Sequence, residues 1–185
     1  NYLAAFAKRE EGRPLLIFDV LHRKLFRGIE MDDEQLHGPA FSPDGRTTPF
    51  TGNRGGQFHV FLLDLETEQI TNLTNDAPYD GAPVFSPDGK SIVFSVASGE
   101  DNAHLYPVDL ADPSQRYRLT EGDWRDKDAI YSSTGRALVF TSDRNGADNI
   151  YALELATGKV AQLTNVVTGC FMPTLLPRHD AIDQL

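Results

Sequence analysis

Short apolar segments alternate along this chain with clusters of Gly, Pro, Asn, Asp and Ser. The segments 91–96 and 137–141 are rich in β-branched and aromatic residues, and each follows a turn sequence that contains glycine. Segments this short, when they are bounded by turn formers, are typical of β-strands and too short for stable helices. The pattern therefore predicts an all-β protein built from many short strands.

Four markers recur along the chain in one order. The first is an acidic residue followed by an aliphatic one. This pair begins at Asp19, Asp64, Asp109 and Glu154, a repeat length of 45 residues. The other markers are an aromatic residue three positions before the acid (Phe61, Tyr106, Tyr151), a Leu-Thr pair after it (73–74, 119–120, 163–164) and a turn with glycine before it (41–45, 85–89, 131–135). Independent markers at one period indicate repeated structural units.

Each repeat contains four predicted strands, named A to D in chain order. In one repeat, strand A (82–85) leads through a Pro-Asp-Gly turn into strand B (91–96), and a polar loop then precedes strands C and D. Proline presets φ in such a turn, and glycine tolerates the positive φ that closes the hairpin. Four short strands in about 45 residues are the signature of a β-propeller blade. The predicted fold is an all-β propeller of four-stranded antiparallel blades, about four of which are present.

The markers also predict the blade boundaries. We predict one propeller domain over residues 1–185, with a partial blade (1–35; strands B, C and D), three full blades (36–80, 81–125 and 126–168) and the start of a further blade (169–185; strand A at 170–176). Two arrangements stay open. The chain is an arc of a larger propeller, or its last strand A completes the partial blade and closes a four-bladed ring. We favour the arc, because single-chain propellers of this repeat type usually have roughly six or more blades.

The charge and hydropathy of the chain narrow the class of partner. Its 185 residues carry a formal net charge of −10 and contain no basic stripe of the kind that binds phosphates, so no nucleic-acid partner is expected. No apolar run is long enough for a transmembrane helix, so direct membrane insertion is not expected either. Residues 1–8 lack the basic region and cleavage site of a signal peptide, which predicts a removed leader or a longer parent protein.

Motifs of enzymes and metal sites are absent from the sequence. It contains no Gly-x-Ser-x-Gly elbow, no His-Glu-x-x-His and no P-loop, and the loop 143–148 lacks the ligand spacing of an EF-hand. His59 and His104 lie one repeat apart, which indicates a structural role. Cys170 stands alone, which excludes an internal disulfide. We therefore predict no enzymatic activity, no catalytic or metal-binding residue and no cofactor.

Acidic residues concentrate in particular loops. In a propeller the B–C and D–A loops share one face, and here those loops carry more than half of the 27 acidic residues. We predict an acidic loop surface that binds a basic protein partner or a cation near the channel mouth; the alternative is an ordinary solvated surface. Its candidate residues are Asp76, Asp80, Asp123, Trp124, Asp126 and Asp128. Trp124 either anchors a partner or covers the core between two blades, and we favour packing.

Several motifs resemble those of a known family. The turns Ser42-Pro-Asp-Gly45 and Ser86-Pro-Asp-Gly89, and the loops beginning at Asn53 and Ser142, are similar to the WD-repeat-like units of TolB-like propellers. The chain departs from the family where strand A usually ends in Trp and here ends in Phe or Tyr, in the third turn (Ser133-Thr134), and in a degenerate fifth turn at 176–180.

The resemblance implies a location and a role. It implies a periplasmic or otherwise extracytoplasmic protein that binds other proteins through the faces or channel mouth of its propeller. The function implied is a non-catalytic binding or structural scaffold of the bacterial cell envelope, docked on a larger, membrane-associated complex. The alternative is an accessory or gating propeller of a secreted peptidase, similar to prolyl oligopeptidase, whose catalytic domain is not in this chain.

Overall fold

The computed structural model describes residues 2–8, 13–31, 35–74, 80–97 and 102–175. Within them the chain forms fifteen β-strands and no helix. In chain order the strands are β1 (Tyr2–Phe6), β2 (Leu15–Asp19), β3 (Lys24–Ile29), β4 (Leu36–His37), β5 (Thr47–Arg54), β6 (Gln57–Asp64), β7 (Ile70–Asn72), β8 (Asp80–Phe85), β9 (Ser91–Ala97), β10 (Ala103–Asp109), β11 (Asp112–Arg116), β12 (Asp126–Tyr131), β13 (Ala137–Ser142), β14 (Asn149–Glu154) and β15 (Val160–Gln162).

The strands form sheets in which neighbours along the chain pair with each other. Three sheets have four strands, in the orders β4-β5-β6-β7, β8-β9-β10-β11 and β12-β13-β14-β15, and one sheet has three, β1-β2-β3. The pairings given between these strands are antiparallel. The predicted all-β fold with four-stranded antiparallel blades is therefore confirmed.

Two compact units make up the chain, Asn1–Gly81 and Ala82–Leu185. The first has a core that includes Leu15, Ile17, Phe50, Phe61 and Leu63. The second has a core that includes Val93, Leu105, Leu138, Phe140 and Leu153. In β13 and β14 consecutive residues are buried, because both faces of these central strands are covered. This explains why the central strands have continuous apolar sequences instead of a strict alternation.

The strand A predicted at 170–176 does not form in the part that the structure describes, which ends at residue 175. The Cys170 amide donates to the Asp148 carbonyl oxygen at 2.7 Å, and the Met172 amide donates to Thr141 Oγ1 at 3.2 Å. Met172 has a φ of 56°, which interrupts an extended conformation. The segment is therefore held against the ends of β13 and β14 by single bonds and has no ladder partner.

The turn between the first two strands of a blade is held by side-chain hydrogen bonds. The Ser86 hydroxyl donates to Asp88 Oδ1 at 2.6 Å and accepts the Ser91 amide at 3.1 Å. Asp88 Oδ1 also accepts the Lys90 amide at 3.1 Å, and Gly89 has a φ of 70°. The Ser-Pro-Asp-Gly marker is therefore a hydrogen-bonded turn in which glycine provides the positive φ.

The third turn keeps this geometry without its proline and aspartate. The Ser132 hydroxyl accepts the Ala137 amide at 3.1 Å, and the Gly135 amide donates to the Ser132 carbonyl at 2.9 Å. Thr134 stands where the other turns have aspartate, with its Oγ1 at 3.3 Å from Ser132 Oγ. Serine and glycine are therefore sufficient to form the turn.

The acidic–aliphatic pair joins two turns of each blade. Asp64 Oδ1 accepts the amides of Glu66 and Thr67 at 2.9 and 2.8 Å, which caps the turn after β6. The Leu65 amide donates to the Arg46 carbonyl in the preceding turn at 2.9 Å. The same amide bond recurs from Leu110 to Lys90 and from Leu155 to Arg136.

The threonine of each Leu-Thr pair satisfies a backbone amide within the third strand of its blade. Thr74 Oγ1 accepts the Val60 amide at 2.8 Å. The equivalent bonds run from Leu105 to Thr120 at 3.1 Å and from Ile150 to Thr164 at 2.9 Å. A buried amide without a partner is costly, so the hydroxyl explains why threonine recurs.

We expect Thr74→Val to lower the free energy of unfolding by about 1–3 kcal/mol, because valine keeps the shape but leaves the buried Val60 amide without an acceptor. The measurement is the urea-unfolding midpoint. The control is Thr71→Val, an exposed threonine of β7, which should change stability by less than about 0.5 kcal/mol. Equal effects of the two substitutions would contradict this role of the hydroxyl.

Candidate functional site

The predicted acidic loop surface falls partly within the described residues. Asp76 lies outside them, and Asp80 is the first residue of β8 with its side chain outside the description. Asp123 is exposed and Trp124 is half-buried in the loop before β12. The Ala103 amide donates to the Trp124 carbonyl at 3.2 Å, which ties this loop to the start of β10.

Asp126 and Asp128 were predicted to lie in this loop, and the structure corrects both positions. Asp126 is the first residue of β12 and is completely buried. Asp128 lies in the same strand at a register shift between Lys127 and Ile130, with a φ of 53°. This is a β-bulge, at which aspartate tolerates the left-handed conformation better than most residues. Both carboxylates therefore belong to a strand and not to a loop.

The buried carboxylate of Asp126 is paired with Arg144. Arg144 Nη2 lies 2.9 Å from Asp126 Oδ1, and the Arg144 side chain is only 15% exposed. Asp126 Oδ2 is buried and has no hydrogen-bond partner among the described residues. Arg144 Nε also donates to Ser142 Oγ at 2.9 Å. The pair is therefore a structural element of the second unit and contributes no free charge to the surface.

Three aromatic rings surround the Arg144 guanidinium. Its carbon lies 4.6 Å from the ring centre of Tyr151, 4.9 Å from that of Trp124 and 5.4 Å from that of Phe140. These distances are within the range of cation–π attraction. Trp124 also covers Gly122, where a Cβ would run into the indole ring, so its described contacts are packing contacts.

Two more acids of the same blade have basic partners. Asp143 accepts the Arg125 amide at 2.7 Å and lies 3.1 Å from Arg125 Nε, and Asp148 Oδ2 lies 3.1 Å from Lys127 Nζ. Burial raises the pKa of Asp143, but the hydrogen bonds and charge of Arg125 outweigh it and hold that pKa below its ordinary value. The sequence shows a surplus of acids in these segments, but Arg125 and Lys127 lie in the same segments and pair with two of them. The exposed loop acids that remain here are Glu121 and Asp123.

The position one residue before each threonine-bonded amide is polar and buried in the three full blades. His59 Nδ1 lies 2.8 Å from the Thr74 carbonyl oxygen, and His104 contacts the Arg118 guanidinium through Nε2. Burial and then the charge of Arg118 lower the pKa of His104, which therefore stays neutral. Asn149 occupies the third such position and accepts the Val166 amide at 2.8 Å. These bonds agree with a structural role for the two histidines.

The described ranges contain neither a ready-made metal site nor a membrane-spanning helix. No group of three or more His, Cys, Asp or Glu side chains is placed there to hold a metal ion. No helix in the same residues is long and apolar enough to cross a membrane.

A groove that the sequence did not predict lies on the second unit. It has a volume of about 700 Å³ and is bounded by Tyr117, Tyr131, Pro107 and Leu155, with Asp88 and Asp109 at its polar side. A smaller groove of about 360 Å³ lies on the first unit, at Phe41, Leu65 and Arg27. No local motif marks either groove, because residues from two neighbouring blades form each of them.

Removing the Arg144 cation should destabilise the second unit. We expect Arg144→Gln to cost about 3–5 kcal/mol of unfolding free energy, because it leaves the Asp126 carboxylate buried without a counter-charge. The double variant Arg144→Gln, Asp126→Asn should recover part of this loss. Arg125→Gln, at an exposed pair, is the control and should cost no more than about 1 kcal/mol. Urea unfolding measures all three; similar costs for Arg144→Gln and Arg125→Gln would contradict the assignment.

This chain is similar to curated proteins of the Tol-Pal system. The Tol-Pal system protein TolB of Francisella tularensis subsp. holarctica is 33% identical over 124 residues, which cover 66% of this chain and 28% of that protein. The chain therefore spans well under a third of the length of the curated relatives it matches.

A solved structure and a family model also show similarity to TolB. TolB from Acinetobacter baumannii has a TM-score of 0.77 at 27% identity, over 91% of this chain and 42% of that chain. A prolyl endopeptidase structure has a TM-score of 0.67 at 13% identity, over 89% of this chain and 27% of that one, a likeness of fold alone. The model of the family described as TolB beta propeller domain matches residues 8–183. The resemblance drawn from the turns and loops is thus confirmed, and the chain belongs to the TolB β-propeller domain family.

Proposed function

We propose that this chain is a non-catalytic, protein-binding part of a Tol–Pal-type assembly in the bacterial cell envelope. The observation that carries the proposal is that the buried groups best suited to chemistry are engaged in structural bonds. His59 bonds to a backbone carbonyl, His104 contacts Arg118, and Asp126 pairs with Arg144. Each of these bonds lies within one blade, so the groups stabilise that blade and are not available to a substrate.

The similarity to Tol-Pal system protein TolB supports the choice of assembly. Its propeller family is shared by this chain over nearly all its length. The partners we propose are proteins of a membrane-associated complex, and the location we propose is periplasmic or otherwise extracytoplasmic. Nucleic acid is a poor partner for a chain with a net charge of −10.

We propose that the partner contacts the acidic loop surface, centred on the loop from Glu121 to Trp124. Glu121 and Asp123 are exposed there. Asp76 and Asp80 remain proposed members of the surface, whereas Asp126 and Asp128 act through the strand that supports the loop. A basic partner surface would be attracted by these carboxylates, mainly through a faster association rate.

The second candidate function is an accessory propeller of a secreted peptidase. It is favoured by one observation, the likeness in fold to a prolyl endopeptidase at a TM-score of 0.67. The identity of 13% makes it the weaker candidate.

Neutralising the loop should weaken partner binding. We expect the variant Asp76→Asn, Asp80→Asn, Glu121→Gln, Asp123→Asn to bind a solubilised Tol–Pal complex more weakly, and its binding to depend less on salt than that of the wild type. The measurement is surface plasmon resonance at low and high ionic strength.

The control for this experiment neutralises two exposed acids elsewhere, Glu66→Gln and Asp112→Asn. It should bind as the wild type does. If the loop variant and this control retain the same affinity and the same salt dependence, the acidic loop surface is not the contact. If the wild type itself does not bind the complex, the proposed assembly is wrong.

An activity-based probe separates the two candidate functions. We expect a fluorophosphonate probe, which labels nucleophilic serines of hydrolases, to leave this chain unlabelled, because its sequence has no Gly-x-Ser-x-Gly elbow. Denaturing gel fluorescence is the measurement, with a prolyl endopeptidase as the positive control. Stoichiometric labelling of a serine would refute the non-catalytic proposal. Sequencing the complete reading frame then tests the accessory-propeller alternative, which requires a hydrolase domain in the parent protein.

A further inference from the structure

The groove of the second unit has the size of a ligand site. Its volume of about 700 Å³ lies in the range of about 300–1,000 Å³ that is common for small-molecule and cofactor sites. Tyr117 and Tyr131 provide aromatic walls, and Pro107 and Leu155 provide aliphatic ones. Tyr117 is 63% exposed, so its ring is accessible at the edge of the groove.

The first unit contains the equivalent groove, so the repeat offers an internal comparison. Phe41 comes directly before the Ser-Pro-Asp-Gly turn of its blade, and Tyr131 comes directly before the equivalent turn of the other. Leu65 and Leu155 are the aliphatic members of their acidic–aliphatic pairs. The two grooves are therefore built by the same positions of the repeat, and differences between them come from individual side chains.

The two grooves differ at one wall position, where the first has arginine and the second has tyrosine. In the first unit Arg27 pairs across the ladder with Ile17, two residues before the acid of its repeat. In the second unit Val108 pairs with Arg116, the last residue of β11, and the Leu119 amide donates to the Leu105 carbonyl oxygen in the same register. Tyr117 lies between these two contacts, at the level of Pro107, which is also two residues before its acid. Tyr117 therefore stands where the first unit has Arg27.

Arg27 shows how a guanidinium occupies this groove. Its Nη1 donates to the Leu65 carbonyl oxygen, and it lies 3.9 Å from Glu68 Oε1. The groove of the first unit has about 360 Å³ left beside this side chain, roughly half the volume in the second unit. The second unit has the equivalent backbone at Leu155 and no arginine at position 117.

The charges that line the larger groove suit a cation. Asp88 and Asp109 line it, and no lysine, arginine or histidine is among the residues described there. The hydrogen bond from Ser86, followed by the amide and the charge of Lys90, lowers the pKa of Asp88, so this carboxylate is ionised at neutral pH. Asp109 uses Oδ1 for the Ala111 amide at 2.8 Å. Burial raises the pKa of Tyr131, so its hydroxyl stays protonated and can donate.

We infer that the groove of the second unit binds an arginine side chain presented by a partner polypeptide. The guanidinium lies against the Leu155 carbonyl, as that of Arg27 lies against Leu65, and Asp109 supplies the counter-charge. The tyrosine rings stack on its plane, which favours arginine over the smaller, more strongly hydrated ammonium of lysine. The aliphatic walls contact the residues on either side of the arginine in an extended segment of the partner. This site is separate from the acidic loop surface, since the two share no residue.

The test uses three capped pentapeptides, Gly-Leu-Xaa-Leu-Gly, in which Xaa is arginine, lysine or citrulline. Citrulline has nearly the shape of arginine but no charge. Isothermal titration against the whole chain should show binding of the arginine peptide, with at least about tenfold weaker binding of the citrulline peptide. NMR shift changes should centre on Tyr117 and Leu155. Absent binding of the arginine peptide, or equal binding of the citrulline peptide, would overturn the inference.

Two variants locate the site. Tyr117→Arg should fold, because Arg27 is accommodated at the equivalent position, and should abolish binding by filling the groove from within. Asp109→Asn keeps the Oδ1 acceptor for Ala111 and should weaken binding of the arginine peptide several-fold without affecting the citrulline peptide. Unchanged binding in a folded Tyr117→Arg protein, or in Asp109→Asn, would refute the site.

A third variant separates this site from the loop. Glu121→Gln, Asp123→Asn should leave the affinity for the arginine peptide unchanged, and a loss of affinity there would assign the peptide to the loop surface and overturn the inference. The partner-binding result for the acidic loop surface does not enter this experiment, so the two proposals can fail independently.

Discussion

Buried backbone groups at the ends of the blades must find hydrogen-bond partners within the chain, and the rest of the structure depends on how this is achieved. The polar residues that serve as these partners recur in the 45-residue repeat of the sequence. The threonine hydroxyl accepts an amide of each third strand, the acid caps one turn, and the serine hydroxyl accepts an amide in another. The threonine, acid and serine of the markers are therefore hydrogen-bonding residues that satisfy backbone amides, whereas the aromatic marker Phe61 packs in the core.

This constraint also explains which residues are unavailable for function. His59, His104 and Asn149 occupy one buried position of the repeat, and each contacts a nearby polar group. Their polarity serves the framework, since a buried polar group is stable only when it has a partner. Our proposed contacts therefore lie elsewhere, in an exposed loop and in a groove between blades.

The two grooves illustrate how a repeat protein diverges. Their walls come from the same repeat positions, but Arg27 takes up space in one where Tyr117 stands in the other, and the second groove is about twice as large. Side chains at equivalent positions thus give two grooves of different volume and charge. The acidic loop surface also depends on individual side chains. Arg125, Lys127 and Arg144 pair with acids that the sequence alone presents as a surplus of negative charge.

The sequence by itself determined the class of fold and the nature of the blades, because each marker acts within its own repeat. Ser86, Asp64 and Thr74 bond to groups at most fifteen residues away, so their spacing predicted turns and strand ends correctly. The same locality explains why the third turn was recognised after it had lost proline and aspartate.

Tertiary structure alone decided the pairing of charges and the shape of the grooves. Arg144, in the loop between β13 and β14, contacts Asp126 and Trp124, which lie about twenty residues earlier in the chain. The groove at Tyr117 is completed by the first turn of the next blade. The last segment differs for a similar reason, since a strand forms only where a partner strand is present, and residues 170–175 find isolated acceptors instead. Contacts of this kind depend on how close two segments lie in space, and the repeat length along the chain does not reveal those distances.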